Sequence, residues 1–396
     1  MIERTIDRNH CCGCSACASI CPHDCLSMAF DAEGFIYPSV DTTKCVNCNL
    51  CDKVCPALAS RQDAEPQGTF AAHFVDDSIV KSSSSGGIFT VLAQYVISKQ
   101  GVVYGTQYDD KMNVVFSCAY TNEDVAKFRG SKYVQARIND CYQDVAQKLK
   151  QGVIVLFTGT PCQIAGLKTF LRKPYDNLFT MEVVCHGVPS EKVWHKHLQV
   201  IKKKYFAGFD ISNVIFRYKE NDWRNYKLRY VSCNNNVYDT PRGEDPFFLG
   251  FVKCLYSRPS CEKCQFKNGV SGADLTVGDL WGVEMILGNR GNLLGESLVI
   301  VNTDRGMKWL RQNADLLSMT EINLADAMPY NEGLHEMAVP HRNRASFFQN
   351  VDAGVDVDVL INEMLEPNTT ERLKESKNKI INLLSRIKNK VVNTIN

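Results

Sequence analysis

The chain has 396 residues, a formal charge of +1, 44% hydrophobic and 22% charged residues, and 18 cysteines. At about 150 residues per domain, this length predicts two to three domains, each able to bury a core. The composition excludes a mostly disordered chain, the near-zero charge speaks against nucleic-acid binding, and no window approaches about 20 uninterrupted apolar residues, so no membrane span is expected. The first twenty residues mix Glu3, Arg4, Asp7 and Arg8 with cysteines and lack the apolar core of a secretion signal. A cytoplasmic location is expected, and there grouped cysteines more often bind metal than form disulfides.

Ten of the 18 cysteines fall in the first 55 residues. Cys11, Cys14, Cys17 and Cys21 read C-x2-C-x2-C-x3-C before Pro22, and Cys45, Cys48, Cys51 and Cys55 repeat the run before Pro56. This is the ligand run of two-cluster bacterial ferredoxins, in which the fourth cysteine of each run serves the other cluster. Three thiolates come from one tight loop; the short helix after it carries the last cysteine away. One [4Fe-4S] cluster is therefore expected on Cys11, Cys14, Cys17 and Cys55, and a second on Cys45, Cys48, Cys51 and Cys21. Zinc would favour separated C-x2-C pairs instead. Cys12 and Cys25 are out of register and read as spectators. Residues 1–60 are predicted to be a ferredoxin-like module.

Ser60 to Gly68 is polar, contains Pro and Gly, and reads as a linker. An α/β pattern follows over 69–190. Ser82 to Gly87 precedes a helical face over Ile88 to Ser98, and Val102 to Tyr104 reads as a short strand. Val153 to Phe157 is a strand-like apolar run, followed by a helix over Gln163 to Leu171 with Thr160 as N-cap and Pro161 at its first position. Leu178 to Val184 is another strand, ending at Cys185-His186-Gly187. Strands alternating with helices predict a largely parallel sheet, in which ligands gather beyond the strands' carboxyl ends. Cys162 and Cys185 both fall there. Residues 191–345 are read as a second mixed domain holding Cys254, Cys261 and Cys264. Cys261 and Cys264 form a C-x2-C pair that, with Cys162 and Cys185, makes four candidate thiolates for a third cluster; Cys254 competes from the same loop.

Residues 346–396 are read as a helical tail. Between Glu371 and Asn396, seven Lys/Arg face two Glu, so that stretch carries +5 and the remainder −4. Ile380, Leu384, Ile387 and Val391 repeat at helical spacing. The alternatives for this basic amphipathic helix are packing on its own domain, or contact with an anionic membrane surface or a partner protein.

Six motifs occur in order: Gly86-Gly87 after serines, Arg129 to Tyr133, Thr158 to Gln163, Cys185 to Ser190, Arg258-Pro259-Ser260-Cys261-x2-Cys264, and Ala273 to Gly282. On these, the chain resembles the coenzyme F420 hydrogenase/dehydrogenase beta-subunit family, fused to an N-terminal two-cluster ferredoxin. The resemblance spans roughly residues 5 to 290. It implies FAD, one [4Fe-4S] cluster beside it on Cys162, Cys185, Cys261 and Cys264, and electron transfer between iron–sulfur clusters and a two-electron substrate. A flavin also has a rationale in the residues. Clusters pass single electrons, most organic substrates take a pair, and a flavin converts between them. Ser85, Gly86 and Gly87, opening the 88–98 helix, are the candidate pyrophosphate cradle. Lys132 is a candidate counter-charge to phosphate or reduced flavin, Asp279 and Trp281 are candidate cofactor contacts, and His186 is a candidate proton donor. No G-x-G-x-x-G fingerprint supports nicotinamide.

The fold expected is an α+β and α/β multidomain chain, a bacterial-ferredoxin-like module followed by mixed α/β flavin and iron–sulfur domains. The function expected is an oxidoreductase passing electrons between a ferredoxin or other low-potential donor and a small-molecule substrate. Two alternatives are a beta subunit that oxidises reduced F420 within a larger complex, and an electron-transfer adaptor without substrate chemistry.

Overall fold

The computed structural model describes residues 1–60, 65–288 and 291–367. The basic amphipathic segment lies outside the described residues, as do positions 61–64 of the linker. No helix among the described residues is long and apolar enough to cross a membrane.

The first 60 residues hold the ferredoxin-like module. Its hairpin pairs β1 (Leu26–Phe30) with β2 (Ile36–Val40). Each cysteine loop ends in a one-turn helix, Ala16–Ser19 or Leu50–Lys53. The two loops share a backbone signature. Gly13 and Ser15 in the first, and Asn47 and Asn49 in the second, are left-handed. Those turns curl each loop so that cysteines three apart point inward, and Gly and Asn tolerate them best.

The remaining strands are β3 (Gly68–Phe74), β4 (Val102–Tyr108), β5 (Val114–Ala119), β6 (Val155–Gly159), β7 (Leu178–Val183), β8 (Ile211–Tyr218), β9 (Lys227–Ser232), β10 (Val237–Pro241), β11 (Leu275–Asp279), β12 (Ser297–Val301) and β13 (Leu317–Glu321). Eight of them form one sheet in the order β13-β3-β12-β11-β7-β6-β4-β5. Its centre, β11-β7-β6-β4, is parallel, and β5, β12, β3 and β13 pair antiparallel. The sheet is thus mixed rather than largely parallel. The parallel centre is buried on both faces and reads as apolar runs such as Val155-Leu156-Phe157, whereas the β4–β5 hairpin is closed by a turn that a parallel pair could not use. Strands from both sides of residue 190 build this sheet. A separate three-stranded sheet, β10-β9-β8, packs beside it.

The helices expected after Gly87 and after Thr160 form. Ile88–Ser98 is a helix. Pro161–Leu171 opens with a capping box in which the Thr160 hydroxyl and Gln163 amide satisfy the first turn, with Pro161 at the first position. The Glu191–Tyr205 helix carries the ferredoxin module at its start. Ser190 Oγ donates to the Glu33 carbonyl at 2.5 Å, Lys192 Nζ donates to the Ala32 carbonyl at 2.8 Å, and Arg344 pairs with Glu33 at 2.6 Å.

The same helix is pinned at its middle by His197, which is fully buried. Its Nδ1 lies 2.6 Å from Asp358 and its Nε2 2.9 Å from the Tyr230 hydroxyl, which donates to Asp245. Burial alone would push the imidazole pKa down, but the carboxylates of Asp245 and Asp358 outweigh it and hold it above the usual value. A raised pKa contributes stability that is complete below the unfolded value, near 6.5, and is lost as pH rises through the folded value. His197→Ala is expected to cost about 3 kcal/mol. Thermal unfolding should show the gap from wild type widest at acidic pH and narrowing as pH climbs; a gap that widens with pH would refute the ion-pair account.

Candidate functional site

Three groups of cysteines converge. In the first, Cys11, Cys14, Cys17 and Cys55 lie close enough to feel one another's charge: burial and the charges of Cys11 and Cys55 push the Cys17 thiol up, and Cys17 and Cys55 act on Cys14. These are the four cysteines that the spacing groups together, with the fourth sulfur from the other run. In the second, Cys21, Cys45, Cys48 and Cys51 line one enclosed pocket together with Cys25. Cys25 is therefore no remote spectator; its Sγ is 3.3 Å from that of Cys21. Cys48 is exposed, so this group faces solvent.

In the third group, Cys162, Cys185, Cys261 and Cys264 line a single cavity. Cys162 sits in the first turn after β6 and Cys185 just past β7, and these strands are parallel neighbours. Cys261 lies in the 3-10 turn Pro259–Lys263. Burial, then the charges of Cys185, Cys162 and Cys264, pushes the Cys261 thiol up. Burial likewise pushes Cys185 up to about 12, against the nearby ammonium of Lys267. Cys254 does not line the cavity; its sulfur faces His186 Nε2 at 3.4 Å.

The first and third groups touch. Cys12, on the ferredoxin loop, lines the third cavity and sits within hydrogen-bonding range of both the Cys14 and Cys162 sulfurs. Gly166, one turn beyond Cys162, packs so closely that an added Cβ would lie 3.0 Å from Cys14 Sγ.

The residues proposed for a flavin are placed around a second locus. The two motif loops meet where Ser131 N–H donates to Ser84 Oγ at 2.7 Å. Lys132 Nζ reaches the carbonyls of Lys127 and Gly130, each at 3.3 Å, and burial lowers its pKa to about 7. Asp279 accepts from Arg217 Nη1 at 2.6 Å, and Arg217 lies 5.9 Å from the Trp281 ring and 4.1 Å from the Tyr226 ring. Arg217 Nε and Nη2 are buried with no hydrogen-bond partner among the described residues. Lys219 is fully buried and donates to the carbonyls of Val80, Ser85 and Leu294; burial, then the Arg217 charge, pushes it down to about 7. Sequence reasoning missed Arg217 and Lys219. Their signal is two cations flanking Tyr218 at the end of the apolar strand run Val214-Ile215-Phe216.

Ser85 and Gly86 are used otherwise than expected. Ser85 Oγ donates to the Glu296 carbonyl at 2.8 Å, and Gly86 N–H donates to Ser297 Oγ at 2.9 Å. The amide expected to face a phosphate is spent on β12. His186 is on the cavity rim, with Nε2 3.2 Å from the Val252 carbonyl; facing an acceptor, that nitrogen carries the proton as a donor. Gly86 is a packing glycine, because a Cβ there would run into the Ala72 carbonyl oxygen. Gly86→Ala is expected to cost about 2 kcal/mol through overpacking and to leave iron content unchanged. Thermal unfolding together with iron analysis checks both; a wild-type melting temperature would exclude the clash.

Three family models match the chain. The 4Fe-4S dicluster domain covers residues 10–59. The coenzyme F420 hydrogenase/dehydrogenase beta subunit N-terminal and C-terminal models cover residues 69–141 and 154–325. The F420-reducing [NiFe] hydrogenase complex from Methanosarcina barkeri contains a similar chain, 16% identical, covering 81% of this chain and 95% of that one with a TM-score of 0.45. No curated protein matches. The chain belongs to the coenzyme F420 hydrogenase/dehydrogenase beta-subunit family, with a 4Fe-4S dicluster domain at residues 10–59, and is an iron–sulfur protein of the oxidoreductase class.

Proposed function

We propose that this chain is an iron–sulfur flavoprotein that carries electrons from a low-potential donor such as ferredoxin to a small organic substrate. The observation that carries the reading is the third cysteine group: four sulfurs from three separate segments surround one cavity, and Cys12 of the ferredoxin loop forms part of its wall. Cys162, Cys185, Cys261 and Cys264 would hold a third cubane there. FAD fits the neighbouring locus. Arg217 has two buried, unpartnered donor atoms, and Arg217, Lys219 and Lys132 offer positive charge next to the Trp281 and Tyr226 rings. When bound, these groups exchange single electrons for a pair.

The protein's own part is placement and charge. Arg217, held by Asp279, presents its free donor atoms to an anion. Lys132 adds a cation whose charge depends on pH near neutrality. Exposed Cys48 puts the second cysteine group at the surface, where a donor protein can dock. The donor loses two electrons one at a time, and the substrate gains the pair with protons from solvent. His186 has no assigned role, since its Nε2–H is committed to Val252.

Anaerobically purified protein is expected to contain about 12 iron per chain, four for each of three cubanes. Cys162→Ala should lower this to about eight and Cys254→Ala should not; eight in the wild type would remove the third cluster. Arg217→Gln and Lys132→Gln should release flavin at unchanged iron content. Flavin binding by the apoprotein, followed by fluorescence, should weaken as pH rises through about 7, where Lys132 and Lys219 lose their protons, and Lys132→Gln should make that profile shallower. A pH-independent wild type would take Lys132 out of the site.

A further inference from the structure

A buried cation lies between the first and third cysteine groups. Arg258 is fully buried. Its Nε donates to the Cys11 carbonyl at 2.9 Å, its Nη2 to the Ile36 carbonyl at 2.8 Å and its Nη1 to Gln135 Oε1 at 3.0 Å. Nη2 also lies 3.9 Å from the Cys11 sulfur. The guanidinium covers the Tyr37 ring at 4.3 Å. On its other side Arg258 lines the cavity of the third group, and its charge favours the Cys162 thiolate. Cys261 N–H donates to the Arg258 carbonyl at 3.0 Å, so the residue is also built into the third group's own turn.

Among the described residues no carboxylate pairs with Arg258. Its partners are carbonyls, one amide and rings, all neutral. A guanidinium buried without an opposite charge costs several kcal/mol. Among the described residues, the groups beside it that can carry the opposite charge are the cysteine thiolates, Cys11 Sγ at 3.9 Å and those of the third cavity. Four thiolates around a cubane leave a net negative centre, and reduction adds one more negative charge. A fixed cation close to that charge favours the reduced state.

We infer that Arg258 is an electrostatic link between the Cys11/Cys14/Cys17/Cys55 cluster and the Cys162/Cys185/Cys261/Cys264 cluster, raising the reduction potential of both. It is a positioning residue: its fork clamps the first cysteine loop onto the turn that presents Cys261. The half of the inference that concerns the third cluster rests on the function proposed above; the half that concerns the first cluster does not.

The test is a redox titration of the full chain followed by electron paramagnetic resonance, comparing wild type, R258Q and R258K. In R258Q the reduced-to-oxidised ratio of the first and third clusters at fixed ambient potential should fall about tenfold, equivalent to 59 mV for one electron. The second cluster, on Cys21, Cys45, Cys48 and Cys51, should not move. R258K keeps the charge and should keep the potentials close to wild type. An unmoved first cluster in R258Q at full iron content would overturn the inference, as would an equal fall in all three clusters. If R258Q does not hold its clusters, R258K decides: a tenfold fall despite retained charge would overturn the inference. Should the wild type hold only about eight iron, the third-cluster reading fails, and the first cluster's response still tests Arg258.

Discussion

The contact between Cys14 and the Pro161–Leu171 helix is the constraint on which the arrangement depends. Gly166 has no side chain, so the first cysteine loop can rest against the helix that begins with Cys162. A larger residue would push Cys14 or the Tyr142 hydroxyl away, since a Cβ there would lie 2.9 Å from that oxygen. Gly13 plays the same part on the other side of the loop, where a Cβ would lie 3.0 Å from Arg258 Nη1. Two glycines, more than 150 residues apart, thus allow the ferredoxin loop to sit flush against the sheet's carboxyl edge. Single-electron carriers work only when close together, and this packing would supply the closeness for the clusters proposed above.

Charge follows the same geography. The basic residues near the cysteine cavity and the Trp281 locus are more deeply buried than surface chemistry explains. Lys267 donates to the carbonyls of Cys185 and Gly333, Lys219 to three carbonyls, and Arg258 to two carbonyls and an amide. Carbonyl oxygens solvate a cation only partly, so each of these side chains is costly to bury. Of these and Arg217, among the described residues, Arg217 alone has a carboxylate partner, Asp279, and two of its donor atoms have no partner there. A family of proteins that holds anionic clusters gives that cost a purpose. The His197 network shows the opposite design, since its cation is surrounded by two carboxylates and a tyrosine.

Much of the local organisation is legible in the residues. The paired C-x2-C-x2-C-x3-C runs specify which sulfurs share a cluster, because three-residue spacing and left-handed turns are short-range properties. The start of the 161–171 helix is equally local: Thr160, Pro161 and Gln163 satisfy their own first turn. The mixed sheet was less legible. A hairpin and a crossover helix both read as strand next to strand or helix, and only the pairing of β12 and β3 with distant partners decides direction.

By itself, then, the sequence determined the two-cluster ferredoxin character of residues 10–59, the family, and the candidacy of Cys162, Cys185, Cys261 and Cys264. Tertiary structure decided the rest. It removed Cys254 by turning its sulfur toward His186, and it brought Cys12 and Cys25 from spectators to neighbours of the clusters. It placed Gly86 against the Ala72 carbonyl, and it buried Arg217, Lys219 and Arg258 near the candidate site. The reason is common to all of these. A loop motif carries its geometry within a dozen residues, but which cysteine faces which cavity, and which cation is buried beside it, depends on segments hundreds of residues apart meeting at one sheet edge.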